Sequence, residues 1–169
     1  MKDYLYRTIH AEEAEQAAEI EQICFPPNEA CAWDKMLERV QTAPELFLVA
    51  VDGKSRKIVG CLNGLATDEN AFRDEFFTNA DLFQPGGKNI MLLGLGVLPE
   101  YRHQGIAREL VKRYADRERA KERESLILTC LRSKVAMYEK MGFEDEGISG
   151  SSWGGEEWHE MKMRLSNTG

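Results

Sequence analysis

Hydrophobic residues along the chain recur with the two spacings that distinguish helices from strands. Apolar positions three or four residues apart predict amphipathic helices at residues 11–24, through Met36, Leu37 and Val40, at residues 105 to about 123, and at residues 135–141. Short apolar runs and one alternating segment predict strands at residues 4–9, 47–51, 58–65, 90–98, 126–130 and 161–165.

The segments between these elements carry turn and loop signals. Pro26-Pro27 ends the first helix because proline cannot continue it, and Asp52-Gly53-Lys54 joins two strands as a hairpin. Residues 68–87 form an irregular, aromatic stretch that ends in a Pro-Gly-Gly turn. Strands in pairs with helices between them predict an α/β (α+β) fold: a mixed, largely antiparallel central sheet flanked by helices, in a single domain over residues 1–169.

Composition narrows the class of protein. A chain of 169 residues, 43% hydrophobic and 30% charged, suits one soluble globular domain. The net charge of −7 argues against a nucleic-acid partner, since phosphate binding needs a basic face. No apolar run approaches the roughly 18 residues of a membrane span, and residues 1–10 are not a signal peptide. The cysteines are too scattered for a metal site, so we expect a cytoplasmic protein with reduced thiols and no metal.

A strand runs directly into a helix at residues 97–107, and the turn between them is basic and contains small residues. A helix start offers unpaired backbone N–H groups and the positive end of the helix dipole, which together favour a phosphate group. Gly105 and Ala107 lack the long side chains that would hold a phosphate away from the backbone. The segment therefore predicts a phosphorylated cofactor. It matches neither the GxxxxGK[ST] loop of nucleoside triphosphatases nor the GxGxxG loop of dinucleotide-binding folds.

A second motif lies downstream, where Tyr138 on a predicted short helix is followed by Gly142-Phe143 at the start of a strand. Together with Arg102-His103-Gln104-Gly105-Ile106-Ala107, this motif resembles the GCN5-related N-acetyltransferase (GNAT) superfamily. More narrowly, the chain resembles the arylalkylamine (serotonin) N-acetyltransferase branch, in the Gly86-Gly87 turn and in the stretches FPPNEA, APELFLVA, LTC and VAMYEKMGF.

The resemblance implies an enzyme that binds acetyl-CoA in a cleft between splayed central strands. Backbone groups of Leu95, Gly96 and Val97 would pair with the pantetheine arm. The pyrophosphate would be held by the basic turn and the first helical turn, at Arg102, His103, Gln104, Gly105, Ile106, Ala107 and Arg108. Gly94 and Gly96 agree with this from the residues alone, because glycine inside a strand marks a bulge or a close approach; packing beneath a helix is the other explanation.

Acetyl transfer to an amine requires groups that handle two protons. The amine attacks the thioester carbonyl, and a backbone N–H near Val97 would stabilise the tetrahedral oxyanion that forms. The departing thiolate takes a proton, for which the resemblance implies Tyr138, a phenol with an ordinary pKa of about 10. The alternative is a tyrosine that only packs its ring. We expect direct transfer, without passage of the acetyl group through Cys130.

The histidines that accept the amine's proton in the resembled branch are absent from the matching positions of this chain. That branch has two histidines on the central strand, and the matching positions here are Met91 and Leu93, which cannot accept a proton. The histidines of this chain lie elsewhere, at His10, His103 and His159. The candidate carboxylates, each of which is otherwise a solvated surface group, are Glu21, Glu29 and Glu69. Without such a base, the enzyme would use the fraction of amine that is already neutral.

Aromatic residues that would line an acceptor pocket, or else pack in the core or a lid, are Phe25, Trp33, Phe72 and Phe76. The leading hypothesis is an acetyl-CoA-dependent N-acetyltransferase acting on a primary amine of a small molecule, such as an arylalkylamine. The alternatives are protein or peptide acetylation, which needs an open groove, and a non-catalytic acyl-CoA-binding regulator. We expect no nucleic-acid or membrane partner, and a monomer or homodimer.

Overall fold

The computed structural model describes residues 3–165. The helices are α1 (Ala14–Cys24), α2 (Trp33–Thr42), α3 (Glu75–Thr78), α4 (Ile106–Ala120) and α5 (Val135–Lys140). The strands are β1 (Tyr4–Thr8), β2 (Phe47–Asp52), β3 (Ile58–Thr67), β4 (Asn89–Val97), β5 (Ser125–Cys130), β6 (Glu144–Ile148) and β7 (His159–Arg164).

Within residues 3–165, seven strands form one sheet in the order β1-β2-β3-β4-β5-β7-β6. Neighbouring strands are antiparallel except for β4 and β5, which run parallel. The mixed, largely antiparallel sheet flanked by helices that the sequence predicts is therefore confirmed.

The central strands β4 and β5 separate part-way along their length. They pair only near their starts, at Asn89–Ser125, Ile90–Leu126 and Met91–Ile127. On its other side, β4 stays paired with β3 as far as Val97. The edge of β4 that faces β5 is therefore open from Leu92 to Val97, which leaves a cleft between the two central strands.

A β-bulge lies within this open part of β4. Asn63 pairs with Gly94, whereas the next residue, Gly64, pairs with Leu92, so Leu93 is an extra residue on β4. A bulge bends its strand and redirects the neighbouring groups. Gly94 and Leu95, directly after the bulge, are half-buried, while the earlier part of β4 is fully buried.

Helices cover both faces of the sheet. On one face α1 packs against β3 and β4 with α2 beside it, and on the other α4 packs against β2, β3 and β4. Two glycines allow this close packing. A Cβ on Gly96 would lie 3.2 Å from Cys24 of α1, and a Cβ on Gly60 would lie 3.3 Å from Ile106 of α4. The small helix α5 packs against β6 and β7.

Two elements differ from the sequence prediction. Helix α4 ends at Ala120, earlier than predicted, because Glu122 adopts the left-handed conformation (φ 66°). Arg123 then turns back, and its Nε lies 3.2 Å from Glu118 Oε1. The stretch predicted to be irregular contains α3, whose Phe76 is fully buried.

Three further observations concern membranes, metals and thiols. No helix within residues 3–165 is long and apolar enough to cross a membrane. In the same part of the chain, no cluster of three or more histidines, cysteines or carboxylates could hold a metal ion. The four cysteines are free thiols; Cys24 is half-buried and Cys31, Cys61 and Cys130 are buried.

Candidate active site

The open edge of β4 carries the three residues predicted to contact pantetheine. Leu95, Gly96 and Val97 all lie beyond the last pair that β4 forms with β5. The Val97 carbonyl oxygen already accepts a hydrogen bond from Arg102 Nε at 2.9 Å and a weaker one from Cys24 Sγ at 3.4 Å. The backbone around Leu95 is the half-buried part of this edge, so it is the part that an extended ligand could reach.

The turn that follows β4 presents free backbone amides. Gly105 is the N-cap of α4 with φ 83°, and the first helical bond runs from Glu109 N to Gly105 O at 3.0 Å. The amides of residues 106–108 are therefore not used inside the helix, and no side chain of the described residues caps α4. A Cβ on Gly105 would meet no atom within 4 Å. The turn thus has both the amides and the space that a phosphate group requires.

Side chains of the same turn fix its position. Arg102 reaches back to the end of β4 through its bond to Val97 O, and Gln104 Oε1 accepts a hydrogen bond of 2.7 Å from the Tyr4 hydroxyl of β1. His103 adopts the left-handed conformation with φ 64° and is exposed. The predicted residues of the turn are therefore brought together, and bonds to β1 and β4 hold the turn in place.

Tyr138 lies on α5, half-buried, and its ring makes a T-shaped contact with Phe143 at a centroid distance of 5.6 Å. Burial raises the pKa of Tyr138, and the nearby Cys130 raises it further. Burial also raises the pKa of Cys130 to about 11. Both groups therefore stay protonated at neutral pH, so Tyr138 carries a proton that it could donate.

The carboxylate of Glu21 lies beside the bulge of β4, on the face of the sheet opposite to Tyr138. Its side chain is on α1, only 7% exposed, and Oε2 accepts a hydrogen bond of 2.9 Å from Cys31 N. Its other oxygen, Oε1, lies 3.1 Å from where a Cβ on Gly94 would be. Burial raises the pKa of Glu21, and the hydrogen bond from Cys31 and the charge of Arg39 lower it in part.

The sides of the sheet can be assigned from contacts. A Cβ on Gly64 would touch Ile90 of β4 and also Tyr114 of α4. The Ile90 side chain therefore lies on the face of the sheet that α4 covers. Leu126 pairs with Ile90, and Cys130 lies four residues later on the same strand, hence on the same face. Tyr138 interacts with Cys130. Tyr138 and Glu21 therefore approach the central strands from opposite faces.

A buried arginine completes the Glu21 side. Arg39 of α2 is 2% exposed; its Nη1 donates to Asn63 Oδ1 at 3.2 Å and its Nη2 to Phe77 O at 2.7 Å. Its Nε is buried without a hydrogen-bond partner in the described part of the chain. Between Glu21, Asn63 and Gly94 lies a cavity of about 10 Å³, which is about the space of one water molecule.

An aromatic cover lies on this face, beside a pocket of about 410 Å³ that Phe72, Asp74 and Trp153 line. The Trp153 ring packs on Phe77 at a centroid distance of 4.7 Å, and its Nε1 donates to Glu29 O at 2.8 Å. Asp74 accepts hydrogen bonds from the hydroxyl of Ser151 and, at 3.2 Å, from the backbone N–H of Ser152. The 151–155 turn thereby joins the α1–α2 loop to the segment around α3.

A model of the acetyltransferase (GNAT) family matches residues 10–143. The chain belongs to the GNAT family. It is therefore an acetyltransferase, and acetyl-CoA is the co-substrate of such enzymes, as the sequence motifs predicted. The narrower resemblance to the arylalkylamine branch stays a prediction. No curated protein matches the chain.

Solved structures share this fold at low sequence identity. The loading GNATL domain of CurA from Lyngbya majuscula has a TM-score of 0.82 at 14% identity, over 96% of this chain and 98% of that one. The GphF GNAT-like decarboxylase, in complex with isobutyryl-CoA, has a TM-score of 0.79 at 18% identity, over 96% of this chain and 100% of that one. The ribosomal-protein-S18-alanine N-acetyltransferase from Escherichia coli has a TM-score of 0.71 at 16% identity, over 99% of this chain and 97% of that one. Because these neighbours differ in their chemistry, the acceptor has to be inferred from this chain's own residues.

The candidate bases other than Glu21 lie further from the open edge or are engaged. Glu69 is paired with Arg73 through two contacts of 2.7 Å, which lower its pKa, and its carbonyl accepts from Asn89 at the closed end of β4. Glu29 is half-buried in the α1–α2 loop, where burial and the charge of Glu156 raise its pKa. Met91 and Leu93 are buried and apolar.

The candidate aromatic residues divide between pocket and surface. Phe25 lines the small cavity beside Glu21, and Phe72 and Phe76 are buried under the cover. Trp33 is exposed at the start of α2. Sequence reasoning missed Trp153, whose position depends on contacts with distant segments.

Arg39 was also missed, and His159, which the sequence argued against as a base, was not predicted to be buried. The sequence does indicate that Arg39 is buried, because it lies three residues after Met36 and directly before Val40, on the apolar stripe of α2. His159 is buried on β7, and its Nδ1 lies 3.1 Å from Asp145 Oδ1. His10 lies at the start of α1's leading turn beside Glu12 and Glu13, away from β4.

Proposed function

We propose that this enzyme transfers the acetyl group of acetyl-CoA to a primary amine of a small molecule, with Tyr138 as proton donor. Acetyl-CoA supplies the acetyl group as a thioester. The amine nitrogen bonds to the carbonyl carbon, the C–S bond breaks, and the sulfur takes the proton of the Tyr138 hydroxyl. The nitrogen releases one proton to solvent as the amide forms, and the Tyr138 phenolate takes one back from solvent. The edge at Leu95, Gly96 and Val97 would hold the pantetheine arm, and the amides of residues 103–108 the pyrophosphate.

A small acceptor is supported by the cover on the α1 face, which is the observation that carries the proposal. Trp153, Phe77 and the bonds from Asp74 to the 151–155 turn hold distant segments together on this side. The pocket beside them, of about 410 Å³, has a size that suits a small molecule. The aromatic rings of Phe25, Phe72 and Trp153 on this side suit an arylalkylamine, whose ring would pack against them. The protein acceptor of the E. coli neighbour keeps peptide acetylation as the second candidate.

The setting of the enzyme belongs to the same proposal. Four free thiols suit a reducing compartment such as the cytoplasm. The net charge of −7 favours cationic amines over nucleic acid as partners. A monomer or homodimer is expected, since the candidate site is built from one chain.

The test is mass-spectrometric detection of acetylated product from purified protein, with tryptamine, phenethylamine, polyamines, amino acids and short peptides as acceptors. Hydrolysis of acetyl-CoA is the background, and isobutyryl-CoA tests the length of the acyl chain. Product from phenethylamine or tryptamine supports the arylalkylamine acceptor. Product from peptides alone would overturn the small-molecule acceptor, and tight acetyl-CoA binding without any product would favour a regulator.

A further inference from the structure

Glu21 is the least exposed carboxylate near the cleft, and its side chain points at the backbone of β4 at the bulge. Glu21 has one oxygen engaged by Cys31 N, while the other lies against Gly94, where only the absence of a Cβ leaves room for it. Within residues 3–165 no ion pair within 4 Å involves Glu21, and a carboxylate that is only 7% exposed is costly to bury without one. Such a cost is characteristic of groups that carry out chemistry.

The surroundings of Glu21 favour a water molecule rather than direct contact. The cavity of about 10 Å³ beside Oε1 is lined by Gly94 and by Asn63, whose Nδ2 would lie 3.3 Å from a Cβ on Gly94. Glu21 and Asn63 are the polar side chains that could bind a water there. The rest of the lining is mainly apolar and includes Ala17, Ile20, Phe25, Met36 and Cys61. Asn63 is itself fixed by the bond from Arg39 Nη1, so its amide is held in one orientation.

We propose that Glu21 is the base of the reaction, which takes the amine's proton through one water held between Glu21, Asn63 and Gly94. This inference rests on the proposed function. The ammonium of the acceptor gives its proton to the water, the water gives one to Glu21 Oε1, and the neutral amine attacks the thioester. Glu21 later returns the proton to solvent. Tyr138 supplies the other proton from the opposite face, so the two groups do not exchange protons with each other.

The groups that face Glu21 keep their protons at neutral pH. The titratable neighbours are Arg39 from α2, Cys31 from the loop, Cys61 from β3 and Cys24 from α1 itself. Burial raises the pKa of each of these thiols, to about 11 for Cys31. Arg39 stays charged because its guanidinium does not deprotonate in proteins. Among the protein groups at this position, the ionisation of Glu21 should therefore be the one that shapes the acid side of the pH profile.

The experiment compares Glu21→Gln with wild type on two amines of different basicity. Glutamine keeps an acceptor for Cys31 N but cannot take a proton. With phenethylamine, which is cationic at pH 7, we expect kcat/KM to fall by about 10²–10³ at pH 7. What activity remains should rise with pH in step with the neutral fraction of the amine, without the separate acid limb that Glu21 contributes in wild type. With trifluoroethylamine, which is largely neutral, the loss should stay within about threefold. Glu19→Gln, an exposed neighbour on α1, is the control.

Two further variants keep the test decisive. Gly94→Ala places a methyl group in the cavity, and we expect it to lower kcat for phenethylamine by at least about tenfold while acetyl-CoA still binds. Glu29→Gln should leave the acid limb in place. Equal losses on both amines for Glu21→Gln, or an acid limb that disappears with Glu29→Gln instead, would overturn the role of Glu21. Wild-type protein that acetylates no amine would overturn the proposed function itself.

Discussion

The hydroxyl of Tyr138 differs from an ordinary surface phenol because its ring is half-buried against Phe143 and beside Cys130. Tyr138→Phe keeps the ring contact and removes only the O–H group. We expect kcat to fall by about 10²–10⁴, the usual contribution of a positioned acid, and the Kd for acetyl-CoA to change by less than about twofold. Steady-state kinetics and calorimetric titration measure the two quantities.

A matched control is Tyr6→Phe, on edge strand β1, where the ring packs over Arg113. It loses the same atom at a distance from the cleft and should retain full activity. A loss in Tyr138→Phe of less than twofold would show that Tyr138 only packs its ring. Because its pKa is raised, the donor stays protonated well into the alkaline range, so no alkaline limb from Tyr138 is expected near pH 8.

Burial of Glu21 also predicts how stability depends on pH. The pKa of Glu21 is raised in the folded protein, so between its ordinary value and the raised value the folded state binds more protons than the unfolded state. The free energy of unfolding therefore falls as pH rises through that window. Glu21→Gln cannot titrate, and it should become more stable relative to wild type as pH increases from 4 to 8. Urea unfolding across this range measures the difference; parallel curves for the two proteins would contradict the prediction.

At the scale of elements, the turn that begins α4 tests where the phosphates bind. Gly105→Val adds a branched side chain where the glycine has φ 83° and open space. We expect the Kd for CoA to rise by about tenfold or more, because the side chain occupies the space next to the free amides. The left-handed conformation alone costs a branched residue about 1–2 kcal/mol, which must be separated from the effect on binding.

Gly147→Val provides that separation. Gly147 has φ 99° on β6, and a Cβ there would also meet no atom within 4 Å. Both variants bear a similar backbone strain, so their thermal stability should fall by similar amounts. CoA affinity should fall in Gly105→Val alone, as measured by calorimetric titration. If both variants bind CoA like wild type, the pyrophosphate is held elsewhere.

Elements were predictable from the sequence where local spacing determines them. The apolar period of α1 and the runs of β2 to β5 specify helix and strand without reference to any partner. Helix α3 was missed because four residues are too few to show a helical period. The family motifs located the turn before α4 and Tyr138. The extra residue at Leu93 depends on the register with β3, and local spacing does not encode register.

The polar groups on the α1 face were less predictable for the same reason. Glu21 was one of three candidate carboxylates, and only its packing against Gly94 distinguishes it from Glu29 and Glu69. The cover depends on contacts between residues far apart in sequence, such as Trp153 with Phe77. Local sequence patterns predict which face of an element is buried, but they do not specify which distant segment it meets.

At the scale of the whole molecule, the sheet consists of two halves, β1 to β4 and β5 to β7. Within the described residues, the short pairing of β4 with β5 joins them. A ligand that lies along the open edge of β4 and reaches the start of α4 would contact both the split and the turn. Binding to the folded state alone raises stability by about 2.7 kcal/mol at a concentration one hundred times Kd. For a chain of this length, that corresponds to a rise in Tm of about 5–10 °C.

Differential scanning fluorimetry with acetyl-CoA measures this shift, and acetyl-pantetheine serves as the control because it has the same thioester arm without the pyrophosphate. We expect a much smaller shift with acetyl-pantetheine at equal concentration, since the amides of residues 106–108 then have no anion to bind. Equal shifts with both ligands would mean that the turn before α4 contributes nothing to affinity. The absence of any shift with saturating acetyl-CoA would contradict the assignment of the split between β4 and β5 as its binding cleft.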